Sequence, residues 1–257
     1  MKQFLILARK DLLEFTRSKK LLIVVVVFLF VAISSPILAK ITPLLLKSIP
    51  TTPGLTIKVP EPTFMDAIDQ FVKNISQIAL IVLVFVVAGS VADEKSRRNL
   101  EILLSKPVTR AKFILSKFAS YLGPISVLFV LSAVGFYVYT SSTFASFSFG
   151  NFMMMSLLAL LSILMVLSIT ILASTFVKNG LAAAGIGYGT YILIDITFGL
   201  VKKITQYSPN YVFSNYKDLI TSGWNNNFVI PAIIALGVII LSVSASILLF
   251  QGQEVER

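Results

Sequence analysis

Six long apolar runs alternate with shorter polar segments along the chain. Each run carries few charged residues and approaches the roughly 20 residues that a helix needs to cross the hydrocarbon core of a bilayer. The pattern therefore predicts an all-α integral membrane protein. Its six transmembrane helices are predicted at residues 21–39, 71–92, 113–139, 152–177, 181–201 and 228–250.

Two longer polar segments, 40–70 and 202–227, interrupt this pattern. The first contains repeated prolines, which remove backbone donors and disfavour a long helix. We therefore predict a loop there, with one short surface helix near 62–70. The second segment has several tyrosines and one tryptophan among polar residues, a composition typical of segments at the level of the lipid headgroups. It is predicted to lie at the membrane edge, partly as short helices.

Residues 1–20 form the first predicted domain, and residues 21–257 form the transmembrane domain. The first segment has apolar residues at spacings of three and four among six Lys or Arg residues. That periodicity predicts an amphipathic basic helix lying at the membrane surface. A plain positive flank to the first span is the alternative. The apolar positions are Leu5, Ala8, Leu12 and Phe15.

The composition agrees with a membrane protein, since 56% of the residues are hydrophobic and only 13% are charged. The net charge is +10, and the basic residues lie beside the apolar runs. No nucleic-acid-binding motif is present, so we expect no nucleic-acid partner. The absence of Cys and His excludes thiolate nucleophiles, imidazole bases and Cys/His metal sites. No phosphate-binding loop motif occurs, so ATP hydrolysis would require a partner.

The distribution of Lys and Arg indicates the orientation. Six spans place both termini on one side, and that side has 15 of the 22 Lys and Arg residues, against 7 on the other. Because positive residues are enriched on the cytoplasmic side, we expect a multi-pass protein of the cytoplasmic membrane with both termini in the cytoplasm.

The densest block of charge is residues 92–117, and its loop, residues 93–112, lies between the second and third predicted spans. Asn99 is suited to cap a short helix, and Pro107 would end it. The residues between them include an apolar set that a soluble partner would cover. An ordinary basic loop, made positive by its topology alone, is the alternative. The apolar set is Leu100, Ile102, Leu103 and Leu104.

This block resembles the cytoplasmic signature of ABC-2-type transporter permeases. The matching steps are Leu100-Glu101, then Leu103-Leu104-Ser105, then Pro107-Val108-Thr109-Arg110. The family pattern has a Glu, a Gly-Thr-Leu-Glu step, Leu-Leu-Ser and Pro-Val-Ser/Thr-Arg, and this chain has Arg98-Asn99 in place of Gly-Thr. The basic first helix and the six-span layout extend the resemblance along the whole chain.

The resemblance implies a type V ABC exporter-like fold with a cytoplasmic coupling helix. It also implies two copies of an ABC ATPase, which would bind ATP and Mg²⁺, and a second permease subunit, expected to be an identical copy, within the membrane lipid. Glu94 and Glu101 would pair with basic groups of the ATPase or of the N-terminal helix. The implied ATPase-coupling residues are Glu94, Arg97, Arg98, Asn99, Leu100, Glu101, Leu103, Leu104, Pro107 and Arg110.

Asp195 is the one carboxylate inside a predicted apolar span, about six residues from the outer end of that helix, or roughly 9 Å. Intramembrane carboxylates are costly and often functional, so Asp195 is a candidate for a transport pathway. The alternative is a carboxylate near the outer headgroups, beside Lys202 or Lys203. In the same span Gly185 and Gly189 form a small-xxx-small pair that favours close helix packing.

The function expected from these features is that of a permease subunit that exports a substrate with energy from a partner ATPase. The chain itself is not expected to be an enzyme or to bind a cofactor or metal. Two alternatives remain: an ion-coupled secondary transporter and a membrane scaffold that transports nothing. The apolar spans fit an apolar or amphipathic cargo, without indicating which one.

Overall fold

The computed structural model describes residues 2–48, 61–96, 109–201 and 203–252, and all regular elements in these ranges are helical. Six helical segments are long and apolar enough to cross a membrane. The predicted all-α membrane fold is therefore confirmed. The six segments are Lys19–Pro43, Phe64–Ser96, Arg110–Thr143, Phe149–Phe176, Gly180–Leu200 and Asn226–Gly252.

The helices follow one another with short connections. We number the α-helices in chain order, and α3 is joined to α4 by a π-helical stretch, Asn74–Ala79. The α-helices are α1 (Lys2–Arg17), α2 (Lys19–Ser48), α3 (Phe64–Lys73), α4 (Leu80–Ser96), α5 (Arg110–Thr143), α6 (Phe149–Phe176), α7 (Gly180–Leu200), α8 (Tyr211–Ser222) and α9 (Val229–Gly252).

Helix α1 is separated from α2 at Ser18, whose hydroxyl donates to the Phe15 carbonyl at 2.9 Å. Its buried face differs from the predicted apolar stripe. Leu7, Asp11 and Phe15 are buried, whereas Leu5 and Leu12 are 63% and 40% exposed. The packing face includes a carboxylate because α5 supplies the groups that pair with it.

Helix α2 corrects the prediction that the first span ends at residue 39. It continues through Pro36 and Pro43 to Ser48. Each proline removes only one backbone donor. A chain surrounded by hydrocarbon has no water to replace its remaining backbone hydrogen bonds, so the helix is favoured on both sides of each ring.

The second span begins earlier than the predicted residue 71. Helix α3, the π-helical stretch and α4 form one continuous segment from Phe64 to Ser96, so the predicted surface helix and second span are one element. The Thr63 N–H donates to the Asp66 carboxylate at 2.8 Å and fixes its start. In the π-helical stretch, the Asn74 amide donates to the Ser35 hydroxyl of α2 at 2.9 Å.

Helices α4 and α6 form the centre of the bundle, and α7 lies at its edge. In the most apolar window of each span, 67% of the α6 residues but only 17% of the α7 residues are buried. Phenylalanine rings fill the space between the second, third and fourth spans at one end. The Phe71 and Phe136 rings lie 4.2 Å apart, and those of Phe136 and Phe152 lie 5.3 Å apart.

The segment between α7 and α9 enters the bundle more deeply than the predicted position at the membrane edge. The Ser162 hydroxyl, in the middle of α6, donates to the Pro209 carbonyl at 2.8 Å. The Asn151 amide, near the start of α6, donates to the Ile220 carbonyl at 3.2 Å. These two contacts lie roughly 16 Å apart along α6. Helix α8 therefore runs from mid-bundle back to its end, as half of a re-entrant hairpin.

Candidate functional site: an ion-pair cluster beside residues 97–108

Three helices meet at a set of four charged side chains, which we call the ion-pair cluster: Lys10 and Asp11 of α1, Glu94 of α4 and Lys117 of α5. The Lys117 ammonium lies 2.9 Å from Asp11 Oδ1 and 2.6 Å from Glu94 Oε1. Lys10 Nζ lies 3.1 Å from the same Glu94 oxygen. The cluster joins helices that are distant in sequence, on both sides of residues 97–108.

Local sequence explains how these side chains meet. Asp11 lies on the face of α1 that carries Leu7 and Phe15, which places its carboxylate against α5. Glu94 lies in the last turn of α4, and Lys117 lies two turns into α5. All three positions are therefore at the same end of the helix bundle.

Neighbouring hydrogen bonds hold α1 against α5. The Ser116 hydroxyl donates to the second Asp11 carboxylate oxygen at 2.8 Å. The Ser120 hydroxyl, one turn further on, donates to the Ala8 carbonyl at 3.0 Å. Phe15 packs edge-to-face on Tyr121, with ring centroids 5.4 Å apart. The contact between α1 and α5 is thus built from several polar and apolar groups over three turns.

Burial makes the charge balance of the cluster energetically important. The side chains of Lys117 and Asp11 are only 2% and 1% exposed, and that of Glu94 is 11% exposed. Removing one partner of a buried ion pair costs about 3–5 kcal/mol, because the other charge stays buried without compensation. The two lysines and two carboxylates therefore form one neutral unit, in which Lys117 is the central member.

The same region has carboxylates close enough to suggest a metal site. Oxygens of Asp11, Glu14 and Glu94 lie within 4.8 Å of one another. The Lys117 ammonium, however, is already in ion-pair contact with two of these three carboxylates. An ammonium group thus occupies the position that a cation would take, and the arrangement is that of an ion-pair network.

A second set of contacts anchors the end of α9 at this end of the bundle. Arg110 Nη1 donates to the carbonyls of Phe250 at 3.1 Å and Gln251 at 2.7 Å. A guanidinium in this position satisfies carbonyls that have no partner within the helix. The Phe113 ring stacks on Phe250 with centroids 5.2 Å apart. Lys95 Nζ donates to the Thr175 carbonyl of α6. Both ends of the stretch 97–108 are therefore attached to packed helices.

Asp195 and the glycines of α7 lie elsewhere. Asp195 is exposed on the outer side of α7. A Cβ added at Gly185 or Gly189 would have no atom within 4 Å. Close packing inside the chain occurs instead at Gly187, where an added Cβ would lie 2.9 Å from the Thr170 Cβ of α6. The predicted pair of small residues thus faces away from the described helices.

Comparison with protein-family models identifies the family of this chain. The family model described as "ABC-2 family transporter protein" matches residues 5–255. The chain belongs to the ABC-2 transporter family. The uncharacterized transmembrane protein YxlG of Bacillus subtilis (strain 168) is 24% identical over 250 residues, which cover 93% of this chain and 95% of that protein.

Membership in the ABC-2 family confirms the resemblance found in the central block. It supports a role as the permease component of an ABC transporter, a component that is generally not catalytic, and association with an ABC ATPase. The family match, the transmembrane relative and the six apolar helices together support a multi-pass membrane protein.

The ABC-2 signature itself lies mostly outside the described residues. Of the predicted coupling residues, the structure describes Glu94 and Arg110. Glu94 contacts Lys10 of the N-terminal helix, one of the two kinds of partner that the sequence left open. Arg110 contacts the end of α9. The residues outside the described ranges are Arg97, Arg98, Asn99, Leu100, Glu101, Leu103, Leu104 and Pro107.

Sequence reasoning missed the ion pair between Asp11 and Lys117 in this ABC-2 chain. They are 106 positions apart, so no local pattern connects them. A signal was present in each helix separately. Asp11 lies between the apolar positions Leu7 and Phe15 on one helix face, where a lone carboxylate requires a partner.

Proposed function

We propose that this chain is the membrane subunit of an ABC exporter and that residues 97–108 receive the movement of a partner ATPase. The ion-pair cluster carries the proposal. Helices α4 and α5 flank residues 97–108. Glu94 of α4 pairs with Lys10 of α1, and Lys117 of α5 pairs with both Asp11 of α1 and Glu94. A force applied to the segment between α4 and α5 would therefore act on three helices together.

The transmitted movement follows from the way each helix is fixed. Glu94 and Lys95 hold the end of α4 against α1 and α6, and Arg110 and Lys117 hold the start of α5 against α9 and α1. Packed helices of this kind move as rigid elements. Nucleotide-driven closure of two ATPases would tilt the second and third spans and change access to the substrate from one side of the membrane to the other.

The proposed orientation places the cluster and both termini in the cytoplasm, because the positive residues are enriched on that side. ATP and Mg²⁺ would be bound by the ATPase, and this chain would contribute the docking surface and the transport path. Movement of substrate is proposed to be outward, from the cytoplasm or the inner leaflet.

A second copy of the chain is proposed to pack on the open face of α7. Gly185 and Gly189 leave room for the close approach of another helix, and neither is covered by the described part of the chain. Two copies would supply two docking segments, matching a pair of ATPases.

The docking test is the double variant Leu103→Asp and Leu104→Asp. Two carboxylates on an apolar docking surface would have to be desolvated in the complex, so we expect the ATPase to be lost during co-purification. The matched control, Leu103→Met and Leu104→Met, keeps an apolar surface of similar volume and should retain the complex. An intact complex with the Asp variant would overturn the docking assignment.

The transport test uses the purified chain with its ATPase in liposomes. Vanadate-sensitive ATP hydrolysis together with vectorial substrate movement is the expected result. Transport that persists without ATP and depends on an imposed ion gradient would indicate a secondary transporter. Stable partner binding without any transport would indicate a scaffold.

A further inference from the structure

Asp195 lies near the middle of the bundle along the helix axes, although it is near the end of α7 in sequence. Gly187 marks the point where α7 contacts Thr170 of α6. The two helices are joined by a three-residue turn, Val177–Asn179, and therefore run antiparallel. Eight residues beyond Gly187, Asp195 is level with Ser162, the fourteenth of the 28 residues of α6. It is thus about 20 Å from either end of that helix.

The re-entrant segment supports this depth independently. Ser162 is the residue whose hydroxyl binds the Pro209 carbonyl. The chain leaving α7 therefore stays at mid-bundle before α8 leads it outward. Helix α7 ends at Leu200 inside the bundle, and its end does not mark the membrane surface.

Two tyrosines share the face of α7 that carries Asp195. At about 100° per residue, Tyr188 and Tyr191 lie within roughly 40° of Asp195 around the helix. Their ring centroids are 5.8 Å apart, with an angle of 31° between the ring planes. Tyr191 lies four residues before Asp195, so the two side chains are neighbours on the surface of the helix. We call this set the tyrosine–aspartate stripe: Tyr188, Tyr191 and Asp195.

The stripe borders the proposed dimer surface. Asp195 lies about 80° from the packed Gly187 on one side and about 80° from the open Gly185 on the other. A second copy packed on Gly185 and Gly189 would therefore leave the stripe at the edge of the contact. That is where two copies would line a path between them.

Within the described ranges, the Asp195 carboxylate has no ion-pair partner. Among the described residues, no Lys or Arg nitrogen lies within 4.0 Å of the Asp195 carboxylate; Lys202 is not described. A carboxylate at mid-membrane depth is costly unless water or a cation reaches it. Aromatic faces next to a carboxylate add attraction for an organic cation.

We propose that the transported substrate carries a cationic group, an ammonium or guanidinium, that binds the Asp195 carboxylate and the ring faces of Tyr188 and Tyr191, while its apolar part contacts the surrounding apolar side chains. This substrate class rests on the proposed transport function. Charge complementarity selects the cation, and the apolar surroundings of the stripe select an amphipathic molecule.

The test measures equilibrium binding of radiolabelled dodecyltrimethylammonium to the full chain in lipid nanodiscs, without an ATPase. Dodecylsulfonate is the anionic comparison, both probes stay below their micellar concentrations, and empty nanodiscs give the background. We expect saturable binding of the cation at least tenfold tighter than that of the anion. Asp195→Asn should weaken cation binding about tenfold, because it removes a charge-assisted interaction.

Control variants separate recognition from folding and from local pairing. Tyr191→Phe keeps the ring and should bind normally, whereas Tyr191→Leu should weaken binding several-fold. Asp218→Asn removes an exposed carboxylate of α8 and should have no effect. If Lys202 neutralises Asp195, Lys202→Gln would tighten binding of the cation, which would support the site.

Equal affinity for the cation and the anion, or unchanged cation affinity in a folded Asp195→Asn variant, would overturn the inference. So would loss of dimers in Asp195→Asn with unchanged affinity, since Asp195 would then pair with the second copy. Selective cation binding without ATP-dependent transport would uphold the site and refute the proposed function. ATP-dependent transport without cation selectivity would do the reverse.

Discussion

The ion-pair cluster and the tyrosine–aspartate stripe both place charge inside a bundle of apolar helices, yet they treat it in opposite ways. In the cluster, the Lys117 ammonium contacts two carboxylates and is almost fully buried. In the stripe, Asp195 is exposed and has no described cationic partner. Charge that is neutralised inside the chain holds helices together. Charge left open at membrane depth is available to a molecule that arrives there.

The variant with the largest expected effect is Lys117→Met. It leaves Asp11 and Glu94 buried with only Lys10 nearby, so the free energy of unfolding should fall by about 3–5 kcal/mol. Thermal or denaturant unfolding in detergent measures this change. Lys178→Met, at an exposed turn, is the control and should change stability by less than about 0.5 kcal/mol.

A double variant tests whether the loss comes from uncompensated charge. Lys117→Met combined with Asp11→Asn leaves Glu94 paired with Lys10 alone, so it should be more stable than Lys117→Met by itself. If the loss of the double variant, relative to the unsubstituted chain, equalled the sum of the two single losses, the two residues would act independently, and the cluster would not be one unit.

The second variant, Gly187→Ala, tests the packing that fixes the depth of Asp195. The new Cβ would lie 2.9 Å from the Thr170 Cβ and 3.1 Å from its Cα, so α6 and α7 must move apart. Overpacking of this kind costs about 1–3 kcal/mol. Unfolding measurements on Gly187→Ala and on the control Gly185→Ala compare the two faces of α7.

The control has an open site, because an added Cβ at Gly185 meets no atom within 4 Å. Its free energy of unfolding should therefore stay unchanged. Cross-linking should at the same time detect fewer dimers if this face packs on a second copy. Equal losses of stability in both variants would refute the register of α7 on α6, and with it the mid-bundle position of Asp195.

The number and order of the spans followed from hydropathy alone, because a bilayer requires long apolar helices. Their ends did not. Proline in α2 indicated a loop, yet the helix runs to Ser48. The depth of Asp195 was also missed, because counting residues to the end of α7 assumes that this end lies at the membrane surface. The contact between Ser162 and Pro209 places it inside.

The candidate site was predictable only in part. The signature in residues 97–108 indicated the family, and Glu94 was connected to the N-terminal helix as one alternative. The contact between Asp11 and Lys117 requires α1 to fold against α5, and no pattern in either helix specifies which distant helix it meets. The coupling role of Arg110 stays a prediction. The structure adds that its guanidinium binds carbonyls at the end of α9, a contact that sequence spacing does not reveal.

The smallest expected effect is that of Lys10→Gln, which tests whether the exposed lysine of the cluster contributes less to stability than the buried one. Lys10 lies 3.1 Å from Glu94 and 3.3 Å from Asp11, but its side chain is 41% exposed. Water screens such a pair, so the loss in unfolding free energy should be at most about 1 kcal/mol. The same unfolding assay used for Lys117→Met gives the comparison. A loss as large as that of Lys117→Met would mean that the outer lysine carries the charge balance. A small loss combined with uncoupling of ATP hydrolysis from transport would instead locate the role of Lys10 in holding α1 to α4 during movement.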